Sequence, residues 1–422
     1  GKSSWYHALA SPGNVRERIG LHRALEPGKL HARPGFGNEK AYDEHPDADI
    51  LTSILADGIP ASTIWKTIVL WHATGPAGLL AGFQGWGEKA AWVRDNPEVV
   101  ARALQEADDQ LSAQGITLLI LFDALDRTAD SWDVRRELLR ELLKLLLDLK
   151  GYRSLRGKAF VRPDMLEYGN VLQFTDSSKV VARAVTLDWR PADLYRLLWQ
   201  RMGNAHIDEA AWFRRRTPGD WDQEQGIFVP PASLVQSDDA QRQLFHEITG
   251  PYMGRNHRRG YPYTWLPKHL ADSQQQISPR SFLLALRAAT EKTNYERYEY
   301  EWPLHFDAIK EGVQEASKTR VAEIKEDVPW IDVALSPLEG LSVPCASDDI
   351  DERWRSNETI AKLGALAPED QPQRVDHGAR GLREELVALG ILDDIGAERF
   401  NMADVYRVAF RLGRKGGVKP LN

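Results

Sequence analysis

The sequence predicts an α/β fold: a parallel sheet with helices on both faces, followed by a mainly helical region. Three observations predict it. Residues 116–122 are apolar at six of seven positions and end on Asp123, as a buried parallel strand does when helices cover both faces. Up to about residue 190, such runs alternate with helix-patterned segments, the signature of βαβ units. Beyond Trp189, apolar residues recur at helical spacing, as at Leu194, Leu197 and Leu198.

Taken in order, residues 1–10 begin a helix. The opening Gly1-Lys2-Ser3-Ser4 reads as the end of a phosphate-binding loop, G-x-x-x-x-G-K-[ST], whose earlier residues would precede Gly1. Such a loop uses backbone N–H groups to cradle phosphates, a lysine to reach the β/γ-phosphates and a hydroxyl to hold Mg²⁺. On this reading the chain is a fragment of a longer polypeptide. The competing reading is a chance tetrapeptide. Residues 11–49 carry Gly, Pro, His and charge without periodicity and are expected to be irregular. Residues 64–71, IWKTIVLW, read as a strand, 96–113 as a helix and 116–122 as the central strand. Residues 132–149 read as an amphipathic helix covering the sheet. Short strands are expected at 158–161, ending at Arg162-Pro163-Asp164, and at 184–188. Helices follow from Pro191 and at 281–290. Residues 330–375, proline-rich and acidic, read as a linker or arm. Helical pattern resumes at Gly378.

Composition bounds the function. A chain of 422 residues is expected to hold two to three domains. Its net charge of −7 requires any nucleic-acid contact to be local. The one cysteine, Cys345, rules out an internal disulfide and a cysteine metal cluster, and suits a reducing cytoplasm. No signal-peptide pattern and no apolar run of about 18 residues is present, so no membrane contact is expected. Fourteen tryptophans are expected mainly as core anchors. His22 with His31, and His257 with His269, lack zinc-site spacing, and no metal is assigned to them.

Asp123 sits at the C-terminal end of a strand, where ligands bind in open α/β sheets. A carboxylate there can hold Mg²⁺ directly or through water. Asp126, on the loop beyond, can polarise an attacking water. The alternatives are a strand-end cap for Asp123 and a surface ion pair for Asp126 and Arg127. The 121 positions from Lys2 to Asp123 exceed the roughly 30 of one βαβ unit and require an insertion.

Together these segments resemble P-loop ATPases of the bacterial STAND and KAP type, relatives of AAA+ proteins. Lys2-Ser3 resembles the end of Walker A, and LFDALDR resembles the Walker B strand, with Asp123 and Asp126 in the metal and catalytic positions. KAFVRPDM resembles the next strand with a sensor 1 arginine, Arg162. VTLDWRPADLYRLL is similar to the passage into a helical lid. Ser278-Pro279-Arg280-Ser281 resembles the sensor 2 pair, which implies that Arg280 touches the γ-phosphate. GLREELVALGIL with RFNMADVYRVAF is similar to a winged-helix module. For Arg162 a helix cap or ion pair, and for Arg280 a plain lid-surface position, stay open. The resemblance implies ATP and Mg²⁺ as cofactors, bound by Gly1, Lys2, Ser3 and Ser4, with Ser3 and Asp123 on the metal. It implies a P-loop NTPase core at 1–190 with an irregular insertion at about 11–60, a lid at 191–329, a linker at 330–377 and a winged helix at 378–422. It further implies a cytoplasmic switch in bacterial antiphage defence or a DNA-directed complex, acting as a homo-oligomer or with an effector subunit.

A second signal lies at 250–270. Arg255, Arg258, Arg259 and Lys268 interleave with Tyr252, Tyr261, Tyr263 and Trp265, with no acid among them. Such a pattern binds phosphates and stacks on bases, or inserts an arginine into a neighbouring subunit's site. The plainer reading is a loop with aromatics packed inward and arginines in water. Arg407, Arg411, Arg414, Lys415 and Lys419 follow Asp404 with no further acid, a stretch able to meet a DNA backbone if the module is a winged helix; the resemblance implies an internal packing role as the preferred reading. The alternative function is therefore a nonhydrolysing nucleic-acid-binding or assembly scaffold using 250–270 and 405–420. The KGGV at 415–418 lacks a strand–helix context and is not a phosphate loop.

Overall fold

The structure, a computed structural model, describes residues 2–11, 28–167, 171–224, 226–367 and 370–414. Its contacts divide the chain into two compact units, Gly1–Leu187 and Asp188–Asn422.

The first unit is α/β. Strands β1 (Leu30–Phe36), β2 (Thr117–Phe122) and β3 (Leu155–Ala159) form a parallel sheet in the order β1-β2-β3. Side-chain alternation along β2 gives each face its own core. Leu118, Ile120 and Phe122 join the main core, while Leu119 and Leu121 meet Tyr6 and Leu9 of helix α1 (Lys2–Ala10). The main face is covered by α2 (Ala48–Ala56), α3 (Ala61–Thr74), α4 (Trp86–Asp95), α5 (Pro97–Ala113) and α6 (Trp132–Asp148). Trp65 of α3 is fully buried, edge-on to Phe122 at 5.5 Å and to Phe36 at 6.3 Å. Its indole N–H donates to the Leu138 carbonyl at 2.8 Å, tying α3 to α6. Asp108 of α5 accepts from the backbone N–H groups of Arg153, Ser154 and Leu155 at 2.8, 2.6 and 3.1 Å, which anchors the start of β3.

Several expectations change here. Residues 64–71 belong to α3 rather than to a strand. Their apolar run buries Ile64, Trp65, Ile68, Val69 and Leu70 on a helix bounded by Pro60 and Gly75. A run this short fits either element, and the fourteen-residue spacing between its bounding residues decides for helix. The expected irregular stretch contains β1, concealed by Pro34 and Gly35. Pro34 is tolerated because β1 is an edge strand. A Cβ on Gly35 would lie 2.5 Å from a Phe122 ring carbon, so only glycine lets the strand lie this close. The next strand is Leu155–Ala159, not 158–161. Residues 184–188 form no strand, and Val185 is 81% exposed.

The second unit opens with α7 (Pro191–Gly203), α8 (Ile207–Arg216), a small hairpin of β4 (Asp222–Glu224) and β5 (Ile227–Val229), α9 (Asp238–Thr249), α10 (Pro262–Leu270), α11 (Pro279–Glu296) and α12 (Phe306–Asp327). Tyr195, Trp199, Phe245, Leu266 and Phe282 fill one core. Tyr195 stacks on Tyr263 at 4.2 Å and donates to its carbonyl at 2.8 Å. Helices α11 and α12 meet at Gly312, where a Cβ would come within 2.1 Å of the Ala285 carbonyl oxygen.

The described residues of 330–375, expected as a linker, are folded. They contain α13 (Ile331–Leu335), β6 (Ser342–Val343), β7 (Cys345–Ala346), α14 (Ser347–Ser356) and α15 (Thr359–Gly364), and they bury Trp330, Ile350, Trp354 and Leu363. The acids that made the stretch look solvated include Asp348 and Asp349 in the first turn of α14, where they complement the helix dipole. Then come α16 (Gly378–Ala388), β8 (Leu392–Asp394), β9 (Arg399–Met402), α17 (Asp404–Arg407) and β10 (Gly413–Arg414). Strands β7, β9 and β8 pair antiparallel, and β10 pairs with β6. The order β7, α14, α15, α16, β8, β9 is a winged-helix arrangement that begins at Cys345, well before residue 378. No helix among the described residues is long and apolar enough to cross a membrane.

Candidate functional site

The C-terminal edge of the parallel sheet gathers the residues singled out in the first unit. Asp123 ends β2 and is 3% exposed; its backbone N–H donates to the Phe36 carbonyl at 2.9 Å. Its carboxylate has no hydrogen-bond or ion-pair partner among the described residues. Ala124 then takes a left-handed φ of 54°, which costs an L-residue roughly 1–2 kcal/mol. That turn drops the chain into the short helical turn Leu125–Arg127 and aims Asp126 across the sheet edge. Arg162, on the loop after β3, meets it: guanidinium and carboxylate lie 3.5 Å apart, each partly exposed. Behind the loop, Arg135 of α6 donates to the carbonyls of Asp126 and Asp130 at 3.3 and 2.6 Å and lies 4.3 Å over the Trp132 ring.

Helix α1 reaches the same edge through Tyr6. Tyr6 lies against Gly37, just past β1, and edge-on to Phe160, just past β3. Burial pushes the Tyr6 hydroxyl up to about 12, helped by the negative field of Glu39, Asp123 and Glu44. It stays protonated and available as a donor. One turn earlier, Lys2 is half-buried and Ser3 and Ser4 are exposed. Gly1 lies outside the described residues.

Arg280 lies in the second unit, at the start of α11. Ser278 caps this helix by accepting from the Ser281 N–H, and Arg280 pairs with Glu323 of α12 at 2.5 Å. Its own unit thus supplies a partner, the lid-surface arrangement.

The two basic segments behave differently. Arg255, Arg258, Arg259 and Lys268 are all exposed, and none pairs with a carboxylate among the described residues. The C-terminal cations instead serve the fold. Arg407 is fully buried against Asp404 at 2.6 Å, Arg414 reaches the same carboxylate at 3.2 Å, and Arg411 meets Glu339 at 3.2 Å. Lys415 and Lys419 lie outside the described residues. Helix α16, where a winged helix would read DNA, is neutralised as well: Arg380 pairs with Glu384 at 3.0 Å and Arg383 with Asp351. For the described residues these pairings favour the internal packing role over a free cationic face.

Sequence reasoning missed Tyr6, the left-handed Ala124 and the Asp404 cluster. Tyr6 carried a signal, one helical turn beyond the lysine; the others depend on backbone geometry and long-range pairing.

No family model matches the chain, and no curated protein matches it. Among solved structures, the Aeropyrum pernix ORC2 protein in ADPNP–ADP complexes matches over 93% of this chain and 88% of its own, at 13% identity and a TM-score of 0.27. That likeness is too low to carry a functional argument.

Proposed function

We propose that the chain is an ATP-binding switch protein of the AAA+-related P-loop class, and that it hydrolyses ATP at the C-terminal edge of the β1–β3 sheet. The observation that carries this reading is the buried Asp123 carboxylate at the tip of β2, unpartnered among the described residues, near the Asp126–Arg162 pair and within the field felt by Tyr6 of α1. Mg²⁺ suits this donor set. It needs only one or two carboxylates, the rest of its shell being water and substrate phosphate. Among the described residues no three His, Cys, Asp or Glu groups gather into an all-protein metal cage. Asp123 and Ser3 would hold the ion, and Gly1, Lys2, Ser3 and Ser4 the phosphates. Bound Mg²⁺ would supply charge neutralisation at the phosphates.

The chain's own groups divide the remaining work. Asp126 orients and deprotonates the attacking water. Arg162, released from Asp126, faces the γ-phosphate. The Arg135–Trp132 contact holds the loop that carries Asp126. The motif resemblance would make Arg280 a second phosphate sensor, a role that requires it to leave Glu323. Through such exchanges, nucleotide state is coupled to the helical unit and its winged helix. The resemblance in sequence motifs extends this to a regulatory role in the cytoplasm, in a bacterial defence or DNA-directed complex, as an oligomer or with an effector subunit.

The test is ATP turnover and ATP binding by the full-length protein. Asp126→Asn should lower turnover about 10²–10⁴-fold with ATP affinity little changed, and Lys2→Ala should weaken binding. Undiminished turnover in Asp126→Asn removes its role as base. Absence of Mg²⁺-dependent ATP binding in the unaltered protein removes the whole reading.

A further inference from the structure

We infer that the loop between α9 and α10, with the start of α10, is a binding surface for single-stranded nucleic acid. This goes beyond the nucleotide site and does not depend on it. The loop is closed at its neck by the Met253 N–H donating to the Gly260 carbonyl at 2.8 Å. Asn256 accepts from the Arg258 N–H at 3.1 Å, and the Arg259 stem packs against Gly254. The segment is ordered by its own backbone, and its arginines are left over.

Unpaired exposed cations occur elsewhere in the second unit, as at Arg201, Arg215, Arg353 and Arg355, while Arg242, Arg287 and Lys292 pair with Asp239, Glu291 and Glu296. What sets this segment apart is that its cations interleave with aromatic side chains and no acid. Four cations, Arg255, Arg258, Arg259 and Lys268, fall within fourteen residues of a protein whose net charge is −7, and no carboxylate among the described residues pairs with them. A polyanion would.

The aromatic neighbours narrow the class. Tyr263 is absorbed into the core against Tyr195, but Tyr261 is 45% exposed. Its ring is backed by His246 at 6.2 Å, nearly parallel, and by Tyr252 at 5.6 Å. Burial, and then the charge of Arg242, holds His246 below its ordinary value, so it backs Tyr261 as a neutral ring. An exposed, supported ring beside unpaired guanidinium groups offers a base a stacking platform while its phosphates meet the arginines. Duplex DNA would present phosphates but no free base face, so the tyrosine favours a single strand.

The experiment is fluorescence anisotropy of a labelled oligothymidine of roughly twenty nucleotides, titrated with the full chain in the absence of ATP across a salt series. The expected result is binding with a log–log salt slope near −2 to −3, from about 0.7 per phosphate contact on a single strand. The triple Arg255/Arg258/Arg259→Gln variant should lose at least tenfold in affinity and about 2 of that slope. Tyr261→Ala should weaken binding roughly tenfold and leave the slope unchanged. If the triple variant fails to fold by circular dichroism, the Arg258→Gln single variant and the charge-keeping triple Lys variant carry the comparison. The proposal is overturned if the unaltered chain does not bind, if the Gln variants bind equally well, if Tyr261→Ala is silent, or if a duplex of the same length binds more tightly.

Discussion

Replacing Asp404 by Asn should destabilise the second unit more than any surface change. Asp404 is 4% exposed, and its carboxylate is shared by three cations or donors from two distant stretches of chain. His269 of α10 bonds one oxygen; Arg407 and Arg414 meet the other at 2.6 and 3.2 Å. Asn keeps the shape and one acceptor but removes the charge set against a fully buried guanidinium. Removing one partner of such a pair costs about 3–5 kcal/mol. Because Asn still accepts a hydrogen bond, the lower end, about 3 kcal/mol, is expected. For a unit of this size that lowers the melting temperature by about 6–12 °C, readable by differential scanning calorimetry. The pH dependence follows from the same cluster. Burial alone would raise the Asp404 carboxyl, but the His269 hydrogen bond and the Arg407 charge outweigh it and hold it well below the usual carboxylate range. Its folded value is depressed, so its contribution is complete above the unfolded value of about 3.9 and is lost as pH falls further. Asp404→Asn should therefore flatten the acid limb of the stability curve below about pH 4. A melting point within about 2 °C of the unaltered protein, or an unchanged acid limb, refutes the reasoning.

Two further substitutions test the packing and the site loop. Gly312→Ala should cost about 1–3 kcal/mol or more in urea unfolding, because the new methyl meets the Ala285 carbonyl oxygen and α11 and α12 must separate. Ala124→Gly should leave the free energy of unfolding within about 1 kcal/mol of the original, since relief at φ 54° offsets glycine's greater chain entropy, while Ala124→Val should lower it clearly in urea unfolding.

The parts of the fold that could be read in advance are those where one signal dominates. The run 116–122 is apolar because β2 is the central strand and both its faces are covered. The leucines of 132–149 recur at helical spacing because one stripe of α6 meets the core while the rest stays wet. The acids after β2 and the arginine after β3 were readable because strand tips place side chains at one edge wherever the strands are parallel. What escaped was set by tertiary context. β1 has no apolar period because it lies at the sheet edge and includes Pro34 and Gly35. The 330–375 stretch looked like a linker because its acids and prolines occupy helix starts and turns, while Trp330 and Trp354, twenty-four positions apart, carry the burial. The basic C-terminal stretch left a nucleic-acid contact open because local sequence does not show that Asp404 and Glu339 claim three of its arginines.

The buried carboxylates make the strongest case for where chemistry occurs. Four are found among the described residues: Asp108, Asp123, Glu385 and Asp404. Folding supplies three of them generously. Asp108 takes three backbone N–H groups, Glu385 takes those of Gln373 and Arg374, and Asp404 takes His269, Arg407 and Arg414. A carboxylate withdrawn from water without such partners costs several kcal/mol, which explains why these three are so fully bonded. Asp123 alone of the four receives no partner from the described residues, and it sits at the tip of the central strand with Asp126 and Arg162 beside it. A fold that bonds its other buried acids internally leaves this carboxylate open to water or to a cation, as the proposed Mg²⁺ site requires. Asp123→Ala should therefore abolish Mg²⁺-dependent ATP binding without loss of melting temperature, whereas Asp108→Ala should do the reverse. Equal destabilisation by both would return Asp123 to a purely structural role.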